Sequence, residues 1–293
     1  MNRSPARNTG VYMATFRALE STRPVNKRLL YDPYAIKFLP KFHRLLVSLS
    51  RFGPVRNCFI AYINARWPGT YTAGVARTRL IDDMVIEAVQ HEGINQIIIL
   101  NARYDTRAHR LKTSRQVNFV EIDHKDLQQR KRKIMKPPPG SRSLPVDYIE
   151  LDIKTQQLAK VIPPPLLPRH YKTLFIWEAL TTTRELNAAE TIFEYLKDFP
   201  PGTQVIFSYV DKDVLVNPGH YTGFFKINKL LKKTGEQWDF GLHTHELPGF
   251  LAQRNMKLRY DGGATDYRAL YYGEKSKRMK GYEYFRIVRA EVK

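Results

Sequence analysis

Cysteine is nearly missing from this chain. Cys58 stands alone among 293 residues, which excludes a disulfide framework and a thiolate metal cluster and calls for no oxidising compartment. Acidic residues are also scarce: 28 Asp and Glu face 48 Lys and Arg, for a formal charge of +20. A surplus of that size draws anionic partners and says nothing about fold. Nowhere do about 18 uncharged apolar residues run together, as a membrane span requires; the nearest stretch, Leu45–Ile63, is interrupted by Arg51 and Arg56. Gly-x-Ser-x-Gly elbows and Walker loops are missing, which removes most support for hydrolase and NTPase readings. His243 and His245 have no His-Glu-x-x-His or Cys cluster beside them and read as a surface pair, so no metal is expected.

What is present is material for a large core, with 43% hydrophobic and 12% aromatic side chains. The length suits roughly two domains, or one α/β domain of about 200 residues with an appendage. Residues 1–70 hold helix-like patches, Met13–Leu19 and Ile36–Leu49, parted by Pro24, Pro33, Pro40 and Pro54. This predicts a helical cap over 1–70 and an α/β domain over 71–293. Positive charge gathers in two places, with 11 Lys and Arg against 2 Asp and Glu in residues 1–60 and 11 against 4 in residues 103–136. Two basic faces follow. Met1–Arg23 is Arg-rich like a transit peptide but lacks the apolar core of a signal sequence, so a cytoplasmic protein is expected.

From Thr72 to His91 the apolar positions Ile81, Met84, Val85, Ala88 and Val89 mark one helix face, and Gly93 stops it. Gln96–Leu100 follows, a short run of β-branched residues typical of a strand covered on both faces. Val117–Asp123, Val146–Ile153, Leu174–Leu180 and Thr203–Val210 repeat that pattern, with helical sequence such as His124–Met135 and Ala188–Phe199 among them. Alternation of this kind predicts a parallel sheet with helices on both faces and a ligand crevice at the carboxyl ends of the strands. Lys257–Tyr260 and Tyr282–Val292 are closing strands. Pro137–Pro139 and Pro163–Pro165 are expected to be stiff connectors.

The candidate chemistry lies just past each strand. Asn101-Ala-Arg-Tyr-Asp105 follows the first, without the glycine that usually lets backbone approach a nucleotide there. Asp123 comes 22 positions after Asn101, near the spacing of about 20 at which a carboxylate meets ribose hydroxyls; it could equally N-cap the next helix. Asp152 could accept from an exocyclic amine or start a turn. Glu178 lies inside Leu174-Phe-Ile-Trp-Glu-Ala-Leu180, where a carboxylate needs a cation to offset desolvation. A ligand amine and an arginine are the two candidates. Arg77, on the helix before the first strand, is either a solvated residue or a clamp for a carboxylate.

Val75-Ala-Arg-Thr-Arg79, Tyr104-Asp-Thr-Arg-Ala-His-Arg-Leu111, Phe119-Val-Glu-Ile-Asp123 and Trp177-Glu-Ala-Leu180 together resemble the leucine carboxyl methyltransferase family. Arg17-Ala-Leu-Glu-Ser21, Asp32-Pro-Tyr34, Glu246-Leu-Pro-Gly-Phe-Leu251 and Gly281-Tyr-Glu-Tyr284 resemble its bacterial, polyketide-associated branch, so the likeness spans nearly the whole chain. The resemblance implies an S-adenosyl-L-methionine-dependent O-methyltransferase with a Rossmann-like seven-stranded class I sheet, its last strand antiparallel, beneath the helical cap. It implies that Arg77 holds the cofactor's methionine carboxylate, Glu178 its amino group, Asp123 its ribose, and Asp152 with Ile153 its adenine. Asn101 and Ala102 would line the turn beside it, where the family commonly has Gly-x-Gly and this chain has Asn101-Ala102-Arg103.

The expected acceptor is a carboxylate or acidic hydroxyl on an anionic small-molecule or peptidyl substrate. A carboxylate needs no general base, although His43 or Tyr62 in the cap could serve as one. Two rival readings are a catalytically silent binding protein of the same fold, suggested by Asn101 and Arg103, and a nucleic-acid-modifying enzyme using the basic stretch Lys125–Lys136. Nucleic acid is the less favoured partner, since a charge run is most often a solvated helix face.

Overall fold

The computed structural model describes residues 6–135, 146–152, 158–160, 171–180, 183–234 and 237–293. Its helices are α1 (Ala6–Glu20), α2 (Lys41–Leu49), α3 (Gly53–Arg66), α4 (Thr70–His91), α5 (Arg107–Arg110), α6 (Lys125–Ile134), α7 (Thr183–Lys197), α8 (Asp213–Val216), α9 (Phe224–Thr234), α10 (Leu247–Ala252) and α11 (Ala264–Tyr272). Its strands are β1 (Gln96–Leu100), β2 (Asn118–Asp123), β3 (Val146–Glu150), β4 (Thr173–Leu180), β5 (Gln204–Val210), β6 (Met256–Gly262) and β7 (Phe285–Val292).

One seven-stranded sheet runs in the order β3-β2-β1-β4-β5-β7-β6. The first five strands in that order are parallel, and β7 lies antiparallel between β5 and β6. The expected Rossmann-like topology with an antiparallel final strand is therefore present.

Alternation along the central strands decides the two cores. Ile97, Ile99, Leu174, Ile176 and Ile206 point to the α4 side, where they meet Ile81, Val85 and Ala88. Their neighbours Ile98, Leu100, Phe175, Trp177 and Phe207 meet Phe193 and Leu196 of α7 on the other. Each such fully buried side chain contributes on the order of 1.5–3 kcal/mol, so register is fixed by burial on both faces. Gly93 (φ 76°) turns the chain from α4 into β1, and the Ile94 N–H reaches back to the Ala88 carbonyl at 3.1 Å.

Three expectations change. The patch Ile36–Leu49 is not one helix, because Pro40 divides a short 3-10 turn at Ala35–Phe38 from α2. The last strand starts at Phe285 instead of Tyr282, whose φ of 71° forces a turn. The third strand stops at Glu150; Ile153 and both proline runs lie outside the described residues.

Past the carboxyl ends of β1 and β2, α1 forms a roof. Ala14, Ala18, Phe38, Leu39 and Val47 join Tyr104, Leu127 and Met135 in one buried cluster, with Phe38 stacked on Tyr104 at 4.8 Å and 21°. Gly10 gives this crossing a close fit: a Cβ there would come within 3.2 Å of the Tyr104 ring, which would have to shift by a few tenths of an ångström.

Candidate functional site

β1 ends in a turn that a glycine would ordinarily make. Asn101 (φ 51°) and Arg103 (φ 44°) both adopt the left-handed region, so the backbone course survives without glycine at a strain of about 1–2 kcal/mol per residue. Ala102 between them is buried, and its N–H donates to the Ile122 carbonyl at 3.2 Å, holding the β1 tip against β2. The Arg103 N–H donates to Asp123 Oδ2 at 2.5 Å. Asn101, Ala102 and Asp123 are thus brought together.

Asp123 does not cap the following helix. The α6 N-cap is His124, whose side chain accepts from the Asp126 N–H, while Asp123 Oδ1 takes the N–H of His124 itself at 2.7 Å. Burial raises the Asp123 pKa despite those two backbone donors. A carboxylate held mainly by backbone amides in a poorly solvated place is suited to further O–H donors, which a vicinal diol supplies. Asp152 lies close by: β3 pairs Glu150 with Asp123, and the Leu151 N–H donates to the Asp123 carbonyl at 2.9 Å.

Glu178 sits where the β4–β5 register slips between Trp177 and Leu180. An irregularity of this kind re-aims a side chain at a strand end. The partner it needed is arginine, twice over. Arg107 Nη1 donates to Glu178 Oε1 at 2.9 Å, and Arg77 Nε stands 3.3 Å from Oε2. Burial alone would raise the Glu178 pKa; Arg107 and Arg77 together hold it below the usual carboxylate range.

Arg77 is not a solvated helix residue. Only 7% exposed, it lies 4.6 Å over the Phe285 ring, and its Nη2 ends at Met13 Sδ, 3.4 Å away on α1. A guanidinium whose terminal nitrogen meets a thioether can still offer a fork to a carboxylate.

The network that joins Arg77 and Glu178 to the rest of the site extends well beyond the candidates read from the sequence. Arg107 forms its centre: Nε donates to Asp82 Oδ1 at 2.9 Å, Nη1 also reaches Asp105, and its own N–H donates to Asp105 Oδ1 at 2.7 Å. Arg110 clamps the same Asp82 at 2.5 and 2.8 Å. Asp32 accepts from Arg17 Nε at 2.8 Å and Thr106 Oγ1 at 2.6 Å, and Arg17 Nη2 reaches the Tyr104 carbonyl at 2.5 Å. Four guanidiniums (Arg17, Arg77, Arg107, Arg110) thus meet four carboxylates (Asp32, Asp82, Asp105, Glu178). The signal for them was the density of charge in Asp105, Arg107 and Arg110 directly after a fully apolar strand.

The two possible bases differ in exposure. Tyr62 is 60% exposed on α3. His43 is half-buried with Nδ1 3.4 Å from Thr15 Oγ1, and burial lowers its pKa. A histidine not considered from sequence, His109, contacts the Tyr148 hydroxyl at 2.9 Å, and burial with nearby Lys131 lowers its pKa to about 4. His243 stacks on His245 at 5.4 Å and lies 3.7 Å from Asp213, in the segment that follows the carboxyl end of β5.

Comparison with known proteins places the chain. The family model for leucine carboxyl methyltransferase matches residues 10–195. A protein of Frankia alni, provisionally named an S-adenosyl-L-methionine-dependent methyltransferase, is 27% identical over 202 residues, covering 69% of this chain and 68% of its own. One from Streptomyces coelicolor with the same provisional name is 30% identical over 150 residues, but the match spans only 47% of this chain and 45% of that protein. Among solved structures, a DUF574 family protein from Streptomyces avermitilis has a TM-score of 0.55 at 13% identity, covering 82% of this chain and 91% of that one. A provisionally named methyltransferase from Thermobifida fusca has a TM-score of 0.54 at 12% identity, covering 95% and 94%. At such identities the two structures speak for the fold alone.

Proposed function

We propose, from the premise that this chain belongs to the leucine carboxyl methyltransferase family, that it is an S-adenosyl-L-methionine-dependent methyltransferase acting on an oxygen nucleophile. The observation that carries this reading is the pairing of Arg77 with Glu178 at the β4 tip, one left-handed turn away from Asp123 at the β2 tip. Together they offer a cation for a carboxylate, a carboxylate for an ammonium, and a second carboxylate for a diol. That donor set fits a zwitterionic amino acid joined to a ribose. Asn101 and Ala102 would line the turn, with Asp152 beyond it at the base-binding end. The cofactor supplies an electrophilic methyl group on a sulfonium.

This chain's residues would then bind, orient and exclude water. Arg107 keeps Glu178 ionised; the α1 roof, with Met13 against Arg77, screens the crevice. Alignment and desolvation of two bound reactants supply most of the acceleration for a displacement that needs no proton removed. We favour a carboxylate acceptor on a small or peptidyl substrate, drawn in by the positive N-terminal region, residues 1–70, acting as a cap on the substrate side. The positive φ of Asn101 and Arg103 supports the enzyme reading over the silent-protein one, because the backbone takes there the left-handed course that glycine would otherwise supply.

Calorimetry with S-adenosylmethionine tests the cofactor, with Glu178→Ala and Asp123→Asn each expected to weaken binding about tenfold or more. Mass spectrometry of acceptors should then show a gain of one methyl that mild base removes, as an ester requires and an ether does not. Failure to bind at millimolar cofactor, restored by Arg103→Gly, would establish the silent reading instead.

A further inference from the structure

The α2–α3 hairpin leaves an apolar stripe uncovered. Phe42, Leu45 and Leu49 follow at helical spacing along α2, and Phe52 and Val55 continue the stripe through the turn into α3. Phe42 and Phe52 are 67% and 68% exposed, Leu45 57%. With Tyr62, these positions make up six of the eleven large apolar side chains exposed among the described residues. Single exposed leucines need no explanation, but a contiguous outward face does.

The charge around the stripe is of one sign. From Pro33 to Ile81 the sequence has no Asp or Glu, while Lys37, Lys41, Arg44, Arg51, Arg56 and Arg66 lie on or beside the hairpin. The inward face is thin: Val47 is the buried apolar residue of α2 and Ile63 that of α3. The hairpin therefore presents aromatic and aliphatic side chains outward, flanked by long cationic stems.

We propose that this hairpin is a docking surface for an anionic lipid bilayer, on which the protein rests without spanning it. Phe42, Leu45, Leu49 and Phe52 would enter the boundary between headgroups and acyl chains, and Lys41, Arg44 and Arg51 would stay at the lipid phosphates on extended stems. No helix among the described residues is long and apolar enough to cross a membrane, so the attachment is peripheral. A second copy of the chain suits the surface poorly, because a two-fold contact would set one acid-free hairpin against another. A nucleic acid suits it less than lipid, since Leu45 and Leu49 give the centre of the stripe no stacking surface and no hydrogen bond to a base.

Flotation of the full chain with vesicles of phosphatidylcholine, alone or mixed with phosphatidylglycerol, tests the surface. Recovery with the mixed vesicles only is expected. Phe42→Ser with Phe52→Ser should weaken partitioning about tenfold or more, and Lys41→Gln with Arg51→Gln by a similar factor. All four positions are exposed, so thermal melts should stay at the wild-type value. Phe52→Trp reports insertion directly, through a blue-shifted emission quenched by brominated acyl chains. Equal binding to neutral vesicles, indifference to either pair of substitutions, or a tryptophan unmoved by vesicles would overturn the proposal. So would a dimer in sedimentation, or RNA binding, that the phenylalanine pair abolishes while the chain ignores vesicles.

Discussion

Two groups of buried charge lie side by side beneath the roof helix, and they behave in opposite ways. In the first, Asp105 and Glu178 are held below the ordinary carboxylate range although burial alone would raise both, because Arg107 bonds each of them and further cations stand near. In the second, on β2 and α6, Glu121 has Lys131 as its cation. There burial outweighs the lysine and pushes the Glu121 pKa up to about 7. Glu121 is completely buried, whereas the side chains of Asp105 and Glu178 are 9% and 25% exposed, so desolvation weighs most on Glu121. The donors differ as well: a planar guanidinium serves several oxygens at once, whereas an ammonium acts as a point charge. A forked cation can hold a crevice of carboxylates ionised and ready for a ligand, and a lone lysine leaves its partner near its titration point.

Removing the central cation of each group breaks the comparison most severely. Arg107→Met should cost about 3–5 kcal/mol in urea denaturation, since Asp82, Asp105 and Glu178 would all lose a donor. Lys131→Met should cost less, about 1–2 kcal/mol, because Glu121 can take up a proton near neutral pH. Equal losses would mean that the two groups are energetically alike.

Dependence on pH sharpens the contrast. Glu121 keeps its proton more tightly folded than unfolded, where it titrates near 4.3. Its effect is to lower stability as pH rises from that value through about 7. Asp32 and Glu178, both depressed, act in the other direction: their stabilisation is complete above the ordinary carboxylate range and is lost as pH falls through their own values. Between about pH 5 and pH 7, Glu121→Gln should therefore show a flatter decline in urea midpoint than the wild type. Parallel slopes would remove Glu121 as a titrating group.

The smallest effect belongs to the turn joining the first group to Asp123. Arg103→Gly should stabilise the fold by about 0.5–1 kcal/mol by relieving the left-handed strain, set against glycine's greater entropy loss. A loss of stability on thermal melting would mean that the arginine side chain contributes more than its backbone costs.

Much of this could be read along the chain. β1 was legible to the residue from Gln96–Leu100, α4 from its apolar face, and Asp123 and Glu178 from their places at strand ends. Each is a local signal, a period or a position relative to a strand. Arg107 as the partner of Glu178 was not legible, because the two are 71 positions apart and only the folded sheet makes them neighbours. The role of α1 was hidden for the same reason: Arg17 meets Tyr104 across 87 positions.

Alternating burial and polar strand ends, which are properties of short segments, determined by themselves the sheet and the edge at which chemistry gathers. Which cation answers which carboxylate was decided only in three dimensions. A guanidinium reaches several ångströms in any direction, and its choice of partner depends on what the fold has already excluded from water.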